Sequence, residues 1–402
     1  MHVPDGFIDA PVSVATGAIA AAAVAVSLRG ARREFAGPGE AAGFGGERTA
    51  PLAGLVAAFI FAVQMLNFPV AAGTSGHLLG GALAAILVGP CTGVLCVSVV
   101  LLMQGVLFAD GGLTALGVNI TDMAVVTTLV AYGLFRALVA VLPRGRRGIT
   151  IASFVAALVS VPAAAVAFTA LYALGGTTDV SPTKVFTAMV GVHVLIGIGE
   201  AVITALTVSA VLAVRPDLVY GARGLVRRLE LRTVRVAAPT TPGAARPAPR
   251  HDPEPEAAAG SAPQDTPESV DAPRPADEPV LAGAGAPRAK STRKLWLAGL
   301  AAALACAGGL SYYASASPDG LEKVAHDKGI DTKTEEHAAK DSPLADYGVK
   351  DITNARLSGG LAGVIGVGAT LVVGSGVFVL VRRRNAAATG PAAVPARDTE
   401  AV

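Results

Sequence analysis

The first 33 residues, MHVPDGFIDAPVSVATGAIAAAAVAVSLRGARR, decide the fold of this chain. The apolar run from about Pro11 to Leu28 approaches the roughly 20 residues that one membrane crossing needs. Asp5 and Asp9 precede the run, and the basic cluster Arg29 to Arg33 follows it. A secretory signal has its basic residues first, so we expect no cleavable signal here. The charge order predicts a transmembrane helix with Met1 on the extracytoplasmic side.

The whole chain has the composition of a membrane protein. Its 402 residues are 52% hydrophobic and only 15% charged, and its mean hydropathy is +0.56. These values predict an all-α polytopic fold in the lipid bilayer. The apolar segments described next divide it into a bundle of about seven helices and a two-helix C-terminal module. The net charge of +2 hides arginines that are grouped in a few short loops. This pattern argues against a nucleic-acid-binding surface.

Nine apolar segments are candidate spans. They lie at about 11–28, 51–67, 78–89, 92–109, 118–141, 149–174, 184–214, 295–315 and 357–381. The third segment is short, and it meets the fourth across Gly89 and Pro90. The pair is either a hairpin of two full crossings or a partly re-entrant element.

Counting crossings from an extracytoplasmic Met1 places every basic cluster in the cytoplasm, as the positive-inside rule requires. One miscounted span would put later clusters outside. The clusters are Arg29–Arg33, Arg144–Arg147, Arg215–Arg235, Arg293–Lys294 and Arg382–Arg384. The extracytoplasmic loops are then 68–77, 110–117, 175–183 and 316–356. We therefore predict a multi-pass protein of a bacterial plasma membrane, with a cytoplasmic C-terminus.

The composition also predicts the domain organisation. Between Val236 and Lys290 the chain is rich in proline, alanine and acidic residues, without apolar periodicity, and we interpret this stretch as a disordered cytoplasmic linker. The expected divisions are a membrane domain at 1–214, a basic segment and linker at 215–294, a two-helix module with an extracytoplasmic loop at 295–384, and a disordered tail at 385–402.

Met1 and His2 together form a potential chelator. Methionine is normally trimmed only before a small residue, so we expect Met1 to keep its α-amine. That amine, the His2 amide nitrogen and the His2 imidazole can close two fused rings on one ion, supplying three of the four nitrogens that square-planar Ni(II) or Cu(II) prefers. A fourth ligand must come from the same membrane face. His77, in the glycine-rich loop 67–81, is either that ligand or an ordinary loop histidine.

Other ionisable residues have two interpretations each. His193 and Glu200 are seven residues apart, on one face of the seventh span, and either form a relay or inner ligand pair or fix helix packing. His326 and His337 lie in the last extracytoplasmic loop, which either gathers metal near the mouth of the protein or is a solvated acidic loop. Its acidic residues include Asp319, Glu322, Glu335 and Glu336.

Four motifs resemble those of the CbiM/NikM proteins, the substrate-specific subunits of energy-coupling-factor transporters for cobalt and nickel. The motifs are Met1–Phe7, Asn67–Gly81, Gln104–Gly112 with Asn119 after it, and Val192–Glu200. The resemblance covers residues 1 to about 214. It implies that the metal ligands are the Met1 amine, the amide and imidazole nitrogens of His2, and His77.

The C-terminal module resembles a second family through Pro318-Asp-Gly-Leu-Glu322, the PDGLE motif, and is similar to the two-span CbiN proteins. Together the resemblances imply two kinds of partner, a transmembrane coupling subunit of CbiQ/NikQ type and cytoplasmic ATP-binding subunits of CbiO/NikO type. The sequence has no Gly-Lys dipeptide and therefore no Walker A phosphate loop of its own.

The sequence thus predicts the substrate-binding subunit of an ATP-driven importer, not an enzyme, with Co(II) or Ni(II) as transported ion and no prosthetic group. The nitrogen ligands do not choose between the two metals. One rival is an intramembrane metallohydrolase that uses His193 and Glu200, although the sequence has no His-Glu-x-x-His motif. A second rival is a metal-sensing membrane protein that does not transport.

Overall fold

The computed structural model describes residues 1–36, 46–71, 73–223 and 293–388. Within these ranges seven helices are long and apolar enough to cross a membrane, and an eighth, shorter apolar helix is Pro51–Gln64. The described residues contain a single small sheet, a two-stranded hairpin. The predicted all-α polytopic fold is therefore confirmed.

The membrane domain has eight α-helices and the hairpin. The helices are α1 (Ala10–Ala36), α2 (Gly46–Gln64), α3 (Gly81–Val88), α4 (Pro90–Met103), α5 (Leu116–Asn119), α6 (Thr127–Val141), α7 (Arg146–Gly175) and α8 (Pro182–Val214). Strands β1 (Phe68–Ala71) and β2 (Thr74–Gly76) pair antiparallel. Two π-helical stretches follow α4 and α5, at Gln104–Phe108 and Ile120–Val126.

The C-terminal module contains α9 (Arg293–Gly308), α10 (Gly320–Lys328) and α11 (Ala355–Ala388). Helix α11 continues four residues beyond the predicted module end at 384, because its alanine-rich end keeps good helix formers. Short 3-10 turns lie at Pro216–Leu218, Tyr220–Ala222, Leu310–Tyr313, Asp331–Lys333 and Ala345–Tyr347. The predicted linker at 236–290 lies outside the described residues, as does the tail from 389 onward.

Helix α3 is shorter than the predicted third span. It has eight residues, all buried, and it lies between Gly80 and Gly89, whose φ angles of 88° and 105° favour glycine. His77 lies beside Met1, whereas the Cys91 amide donates to Glu34 near the far end of α1. The segment therefore crosses from one end of α1 to the other, partly as non-helical chain. This answers the question left open by the sequence, since α4 then crosses back.

The loops predicted to share one face all contact the N-terminal segment. Besides the contact of His77 with Met1, the Gly112 amide donates to the Val3 carbonyl at 2.9 Å and the Thr177 amide to the Phe7 carbonyl at 3.2 Å. The Asp319 carboxylate pairs with the Met1 amine at 2.8 Å. These four loops and the N-terminus thus form one end of the bundle, which we call the Met1 end.

The two modules pack closely through α2. A Cβ atom built on Gly54 would lie 2.3 Å from the Ser375 hydroxyl, and one on Gly366 would lie 2.2 Å from the Phe61 ring. Small residues at these positions let the α2 and α11 backbones approach each other, as is common between transmembrane helices. The C-terminal module is thereby held against the membrane domain along the helices, independently of its contacts at the Met1 end.

Candidate metal centre

Asn119 draws the N-terminal residues into the bundle. Its Oδ1 accepts from the Val3 amide at 2.8 Å, and its Nδ2 donates to the Val3 carbonyl at 3.1 Å. The Asn119 side chain therefore satisfies both backbone polar groups of Val3, as a neighbouring strand would. Val3 is fully buried and Met1 is 3% exposed. The chain start consequently lies inside the protein.

The next residues form a fixed turn. Asp5 Oδ1 accepts from the Thr114 amide at 2.8 Å and from its hydroxyl at 2.5 Å. Gly6 has a φ of 86°, and a Cβ there would lie 2.3 Å from the Lys333 carbonyl oxygen. Only glycine fits this conformation and this close approach. The turn sets the direction in which Met1 and His2 enter the bundle.

The Met1 amine faces His77 directly. Its nitrogen is 2.7 Å from His77 Nε2 in a buried contact, while His77 Nδ1 is 3.0 Å from the Leu78 carbonyl oxygen. A carbonyl only accepts, so Nδ1 carries the hydrogen and Nε2 presents a lone pair to the amine. This is the tautomer that a metal ligand coordinating through Nε2 requires.

His2 completes the group of nitrogen donors. Its ring stacks on that of His77, with centroids 5.1 Å apart and planes inclined by 20°. Its Nε2 is 3.1 Å from Gln104 Oε1, in the π-helical stretch after α4, and its Nδ1 is 3.2 Å from Asp110 Oδ1. Burial lowers the pKa of His2 to about 4 despite the opposing effect of Asp110. The imidazole is therefore neutral at neutral pH, which is the state that binds metal.

Asp319 also lies at this site, and its position favours the interpretation in which the last extracytoplasmic loop gathers metal over that of a solvated loop. Its Oδ2 is 2.8 Å from the Met1 amine and 3.6 Å from His77 Nε2. Potential ligand atoms of His2, His77 and Asp319 all lie within 4.8 Å of one another. Burial opposes ionisation of Asp319, but the charge of the Met1 ammonium outweighs it and holds the pKa of the carboxyl well below its usual range.

An open cavity of about 1230 Å³ leads to these residues from the Met1 end. Residues of both modules line this cavity. One of them is Tyr347 of the C-terminal module, which contacts the two residues that hold the His2 ring. The Tyr347 hydroxyl donates to Asp110 Oδ2 at 2.6 Å and accepts from Gln104 Nε2 at 2.9 Å. Burial and the Asp110 charge raise the pKa of Tyr347 well above its usual range, so its hydroxyl stays protonated. The cavity gives an ion a route to the donors.

Glu200 and His193 occupy positions deeper in the bundle. Glu200 accepts from the Leu79 amide at 2.6 Å and from the Gly80 amide at 3.1 Å. His193 Nδ1 is 2.7 Å from the Met189 carbonyl of its own helix, and its Nε2 has no hydrogen-bond partner among the described residues. The Glu200 contacts favour the interpretation in which this carboxylate fixes packing, because they hold the non-helical backbone that directly follows His77.

We expect Glu200→Gln to destabilise the protein by about 1–3 kcal/mol, because the amide side chain keeps only one of the two buried backbone contacts and brings an additional donor. Thermal unfolding of the full chain in detergent measures this. Glu336→Gln is the matched control, since Glu336 is 81% exposed and pairs only with Lys340 at the surface. Equal melting temperatures for the two variants would contradict this role for Glu200.

The two loop histidines do not join the donor cluster. The His326 side chain is 80% exposed, and its Nδ1 is 3.2 Å from Asp331 Oδ2. His337 Nε2 donates to the Gly111 carbonyl at 3.1 Å, and its Nδ1 accepts from the Ala339 amide at 2.9 Å. His337 therefore ties the C-terminal loop to the loop that carries Asp110, and both of its ring nitrogens are engaged.

The fold and this cluster define a class: a helical multi-pass membrane protein with a buried set of nitrogen and oxygen donors at one end. Residues 2–218 match the family described as the cobalt uptake substrate-specific transmembrane region, and residues 293–383 match the PDGLE domain. The chain belongs to this cobalt-uptake family and carries a PDGLE domain after the membrane domain. The resemblance seen in the sequence motifs is confirmed.

Several proteins named as metal transport proteins, some of them as putative ones, are similar to this chain. A putative metal transport protein of Haloquadratum walsbyi is 41% identical over 222 residues, covering 55% of this chain and 94% of that protein. A putative fused nickel transport protein of Archaeoglobus fulgidus is 38% identical over 220 residues, covering 54% and 68%. A cobalt transport protein of Sorangium cellulosum is 37% identical over 174 residues, covering 42% and 75%. This chain is thus a membrane component of the metal-transport type.

Proposed function

We propose that this protein is the substrate-binding subunit of an ATP-driven energy-coupling-factor importer for Co(II) or Ni(II), and that it binds the ion at its N-terminal amine on the extracytoplasmic side. The observation that carries the proposal is the 2.7 Å contact between the Met1 nitrogen and His77 Nε2, with the His2 ring stacked beside it. The similarity to cobalt and nickel transport proteins supports the choice of ion.

The donor distances suit a small divalent ion. Nitrogen ligands lie about 2.0–2.1 Å from first-row ions such as zinc, so adjacent donors in a square-planar complex are about 2.9 Å apart. The Met1 amine and His77 Nε2 are already close to that separation. The His2 amide and imidazole follow in the same chain and close the two chelate rings. To join the other donors, the His2 imidazole would exchange its contacts with Gln104 and Asp110 for the ion.

Metal binding should release about two protons per ion at neutral pH, because the Met1 ammonium and the His2 amide must both be deprotonated to coordinate. Calorimetry in two buffers of different ionisation enthalpy measures the number directly. The Ala variant of His326, a histidine outside the cluster, should give the same number. Heat that is independent of the buffer would mean that neither group is a ligand.

The basic residues support the proposed orientation. The clusters Arg29–Arg33 and Arg144–Arg147 border spans at the end opposite Met1, and the positive-inside rule assigns that end to the cytoplasm. There, ATP-binding subunits of CbiO/NikO type would act through a coupling subunit of CbiQ/NikQ type in the membrane. ATP hydrolysis by these partners would drive reorientation of the loaded subunit and release of the ion inside.

The test is metal accumulation in bacteria that lack their own cobalt and nickel importers. We expect accumulation of cobalt or nickel only when this chain is co-expressed with both coupling and ATP-binding subunits, and a loss of it with His77→Ala. Accumulation that persists without the ATP-binding subunits would contradict ATP-driven import. Metal binding without any accumulation in the complete system would instead favour a metal sensor.

A further inference from the structure

The PDGLE motif docks beside His77 through its backbone. The Ser75 amide donates to the Pro318 carbonyl at 2.8 Å, and the Ser75 hydroxyl donates to the Ser317 carbonyl at 2.7 Å. Ser75 is fully buried in β2, two residues before His77. The same short segment of the membrane domain therefore positions both a predicted metal ligand and the start of the C-terminal loop helix.

The two oxygens of the Asp319 carboxylate have different hydrogen-bond partners. Its Oδ1 accepts from the Glu322 amide at 2.8 Å, while Glu322 Oε2 accepts from the Asp319 amide at 3.2 Å, which forms a capping box at the start of α10. The cap fixes the side-chain rotamer. It leaves the other oxygen, Oδ2, directed at the Met1 amine at 2.8 Å. The carboxylate therefore reaches the site from a rigid support.

Gly320 permits this approach. A Cβ built on it would lie 2.8 Å from Ile196 Cδ1 and 2.9 Å from Val192 Cγ1, both on α8. Leu321, the next residue, is 1% exposed. A larger residue at 320 would push the loop away from α8 and withdraw Asp319 from the site. The motif thus has a physical explanation at each position, and all its contacts place one carboxylate oxygen next to the nitrogen donors.

The three closest donor atoms have separations that one ion can bridge. Met1 nitrogen to His77 Nε2 is 2.7 Å, Met1 nitrogen to Asp319 Oδ2 is 2.8 Å, and His77 Nε2 to Asp319 Oδ2 is 3.6 Å. Donors about 2.0–2.1 Å from one ion are separated by about 2.9 Å in square geometry and about 3.3 Å in tetrahedral geometry. The three separations lie close to these values.

The positive charge next to Asp319 is the same before and after the ion binds, which is compatible with Asp319 as a ligand. Before binding, Asp319 faces the single positive charge of the Met1 ammonium. After binding, a divalent ion with one ionised amide ligand again carries one positive charge. Asp319 therefore meets the same net charge in both states, and its side chain, which is only 17% exposed, never has to be left unpaired in a poorly solvated place.

We propose that Asp319 supplies an oxygen ligand to the ion held by Met1, His2 and His77, so that the PDGLE module completes the metal centre. This inference rests on the proposed function and adds a ligand from the second module. The fourth nitrogen-donor position is filled by His77, and Asp319 then provides a further, axial position. The site becomes five-coordinate with mixed nitrogen and oxygen donors.

The first test is metal affinity of the purified full chain with Asp319→Ser and Asp319→Asn. Serine and asparagine both preserve the helix cap, and serine is too short to reach the ion. We expect the Ser variant to bind Co(II) and Ni(II) at least about tenfold more weakly, with a smaller loss for the Asn variant. The matched control is Asp327→Asn, which removes an exposed carboxylate from the same helix. Unchanged affinity in the Ser variant would overturn the proposal. Tighter binding would also overturn it, since the carboxylate would then compete with the ion.

The second test reports contact directly. Asp319→Cys loaded with Co(II) should gain a sulfur-to-cobalt charge-transfer band that the wild type lacks, because a thiolate within the coordination sphere produces one. None of the three native cysteines belongs to the donor group or lines the cavity. A bound Co(II) without this band would overturn the proposal.

The His77→Ala variant separates the two claims. If it loses binding while the Asp319 variants do not, only the ligand role of Asp319 fails. If it binds normally, the proposed site itself fails.

Discussion

One extra glycine ahead of Met1 is expected to weaken Co(II) or Ni(II) binding by at least about a hundredfold, equivalent to about 2.7 kcal/mol. The extension converts the Met1 amine into an amide and moves the free amine away from His77. It also has to fit where Met1 is 3% exposed and its nitrogen contacts both His77 and Asp319. Encoding Met-Gly before Met1 gives this product, because methionine is trimmed before glycine. Calorimetry on the purified chain measures the affinity.

The matched control is the same glycine added after Val402, remote in sequence from every donor. It should leave affinity and stoichiometry as in the wild type. Unfolding of the extended chain would also abolish metal binding. Its melting temperature is therefore measured in parallel and should stay within a few degrees of that of the wild type. Equal affinities for the N-terminal and C-terminal extensions would refute coordination by the Met1 amine.

His77→Ala is expected to have an effect of similar size, at least about a hundredfold weaker binding, since it removes one of four nitrogen ligands and leaves an open position. His77 is 5% exposed, and its Nε2 already points at the Met1 nitrogen. The variant should keep its fold, because the backbone after His77 is held by Glu200 and not by the imidazole. The measurement is again calorimetric titration with both ions.

The control for this variant is His326→Ala. His326 is a histidine of the same end of the protein, but its side chain is 80% exposed and pairs only with Asp331. It should bind the ions as the wild type does. A loss of binding in the His326 variant together with normal binding in His77→Ala would move the site to the C-terminal loop.

The membrane helices were predictable from the sequence where an apolar run was long and bounded by charge or proline. The predicted spans 149–174 and 184–214 correspond to α7 (Arg146–Gly175) and α8 (Pro182–Val214). Hydrophobic length alone determines such elements, because every backbone group in a membrane helix is satisfied within the helix. No distant contact is needed to define them.

The third crossing was not predictable in the same way. Helix α3 covers only Gly81–Val88, and the chain directly before it is not helical. That conformation depends on groups far along the chain, since Gln64 donates to the Leu79 carbonyl and Glu200 accepts from the Leu79 and Gly80 amides. Hydropathy does not report such contacts, so the sequence left a hairpin and a re-entrant element as alternatives.

The candidate site was also predictable from the sequence only in part. The ability of Met1 and His2 to chelate a metal depends only on these two adjacent residues, so the sequence shows it directly. His77 needed the argument about membrane faces together with the family resemblance. For Asp319 the sequence left a metal-gathering loop and a solvated loop as alternatives, because this residue is 318 residues away from Met1 and lies among several other acidic residues. Asp319 comes close to Met1, unlike the other acidic residues of this loop, because the PDGLE motif docks against β2.

The most direct measurement is the anomalous diffraction of crystals of the full chain loaded with Co(II) or Ni(II), recorded at the absorption edge of the metal. We expect one strong peak within about 2.0–2.2 Å of the Met1 nitrogen, the His2 amide and imidazole nitrogens and His77 Nε2. A peak elsewhere, with the Met1 amine still paired to His77 and free of metal, would contradict the N-terminal metal site on which this account rests.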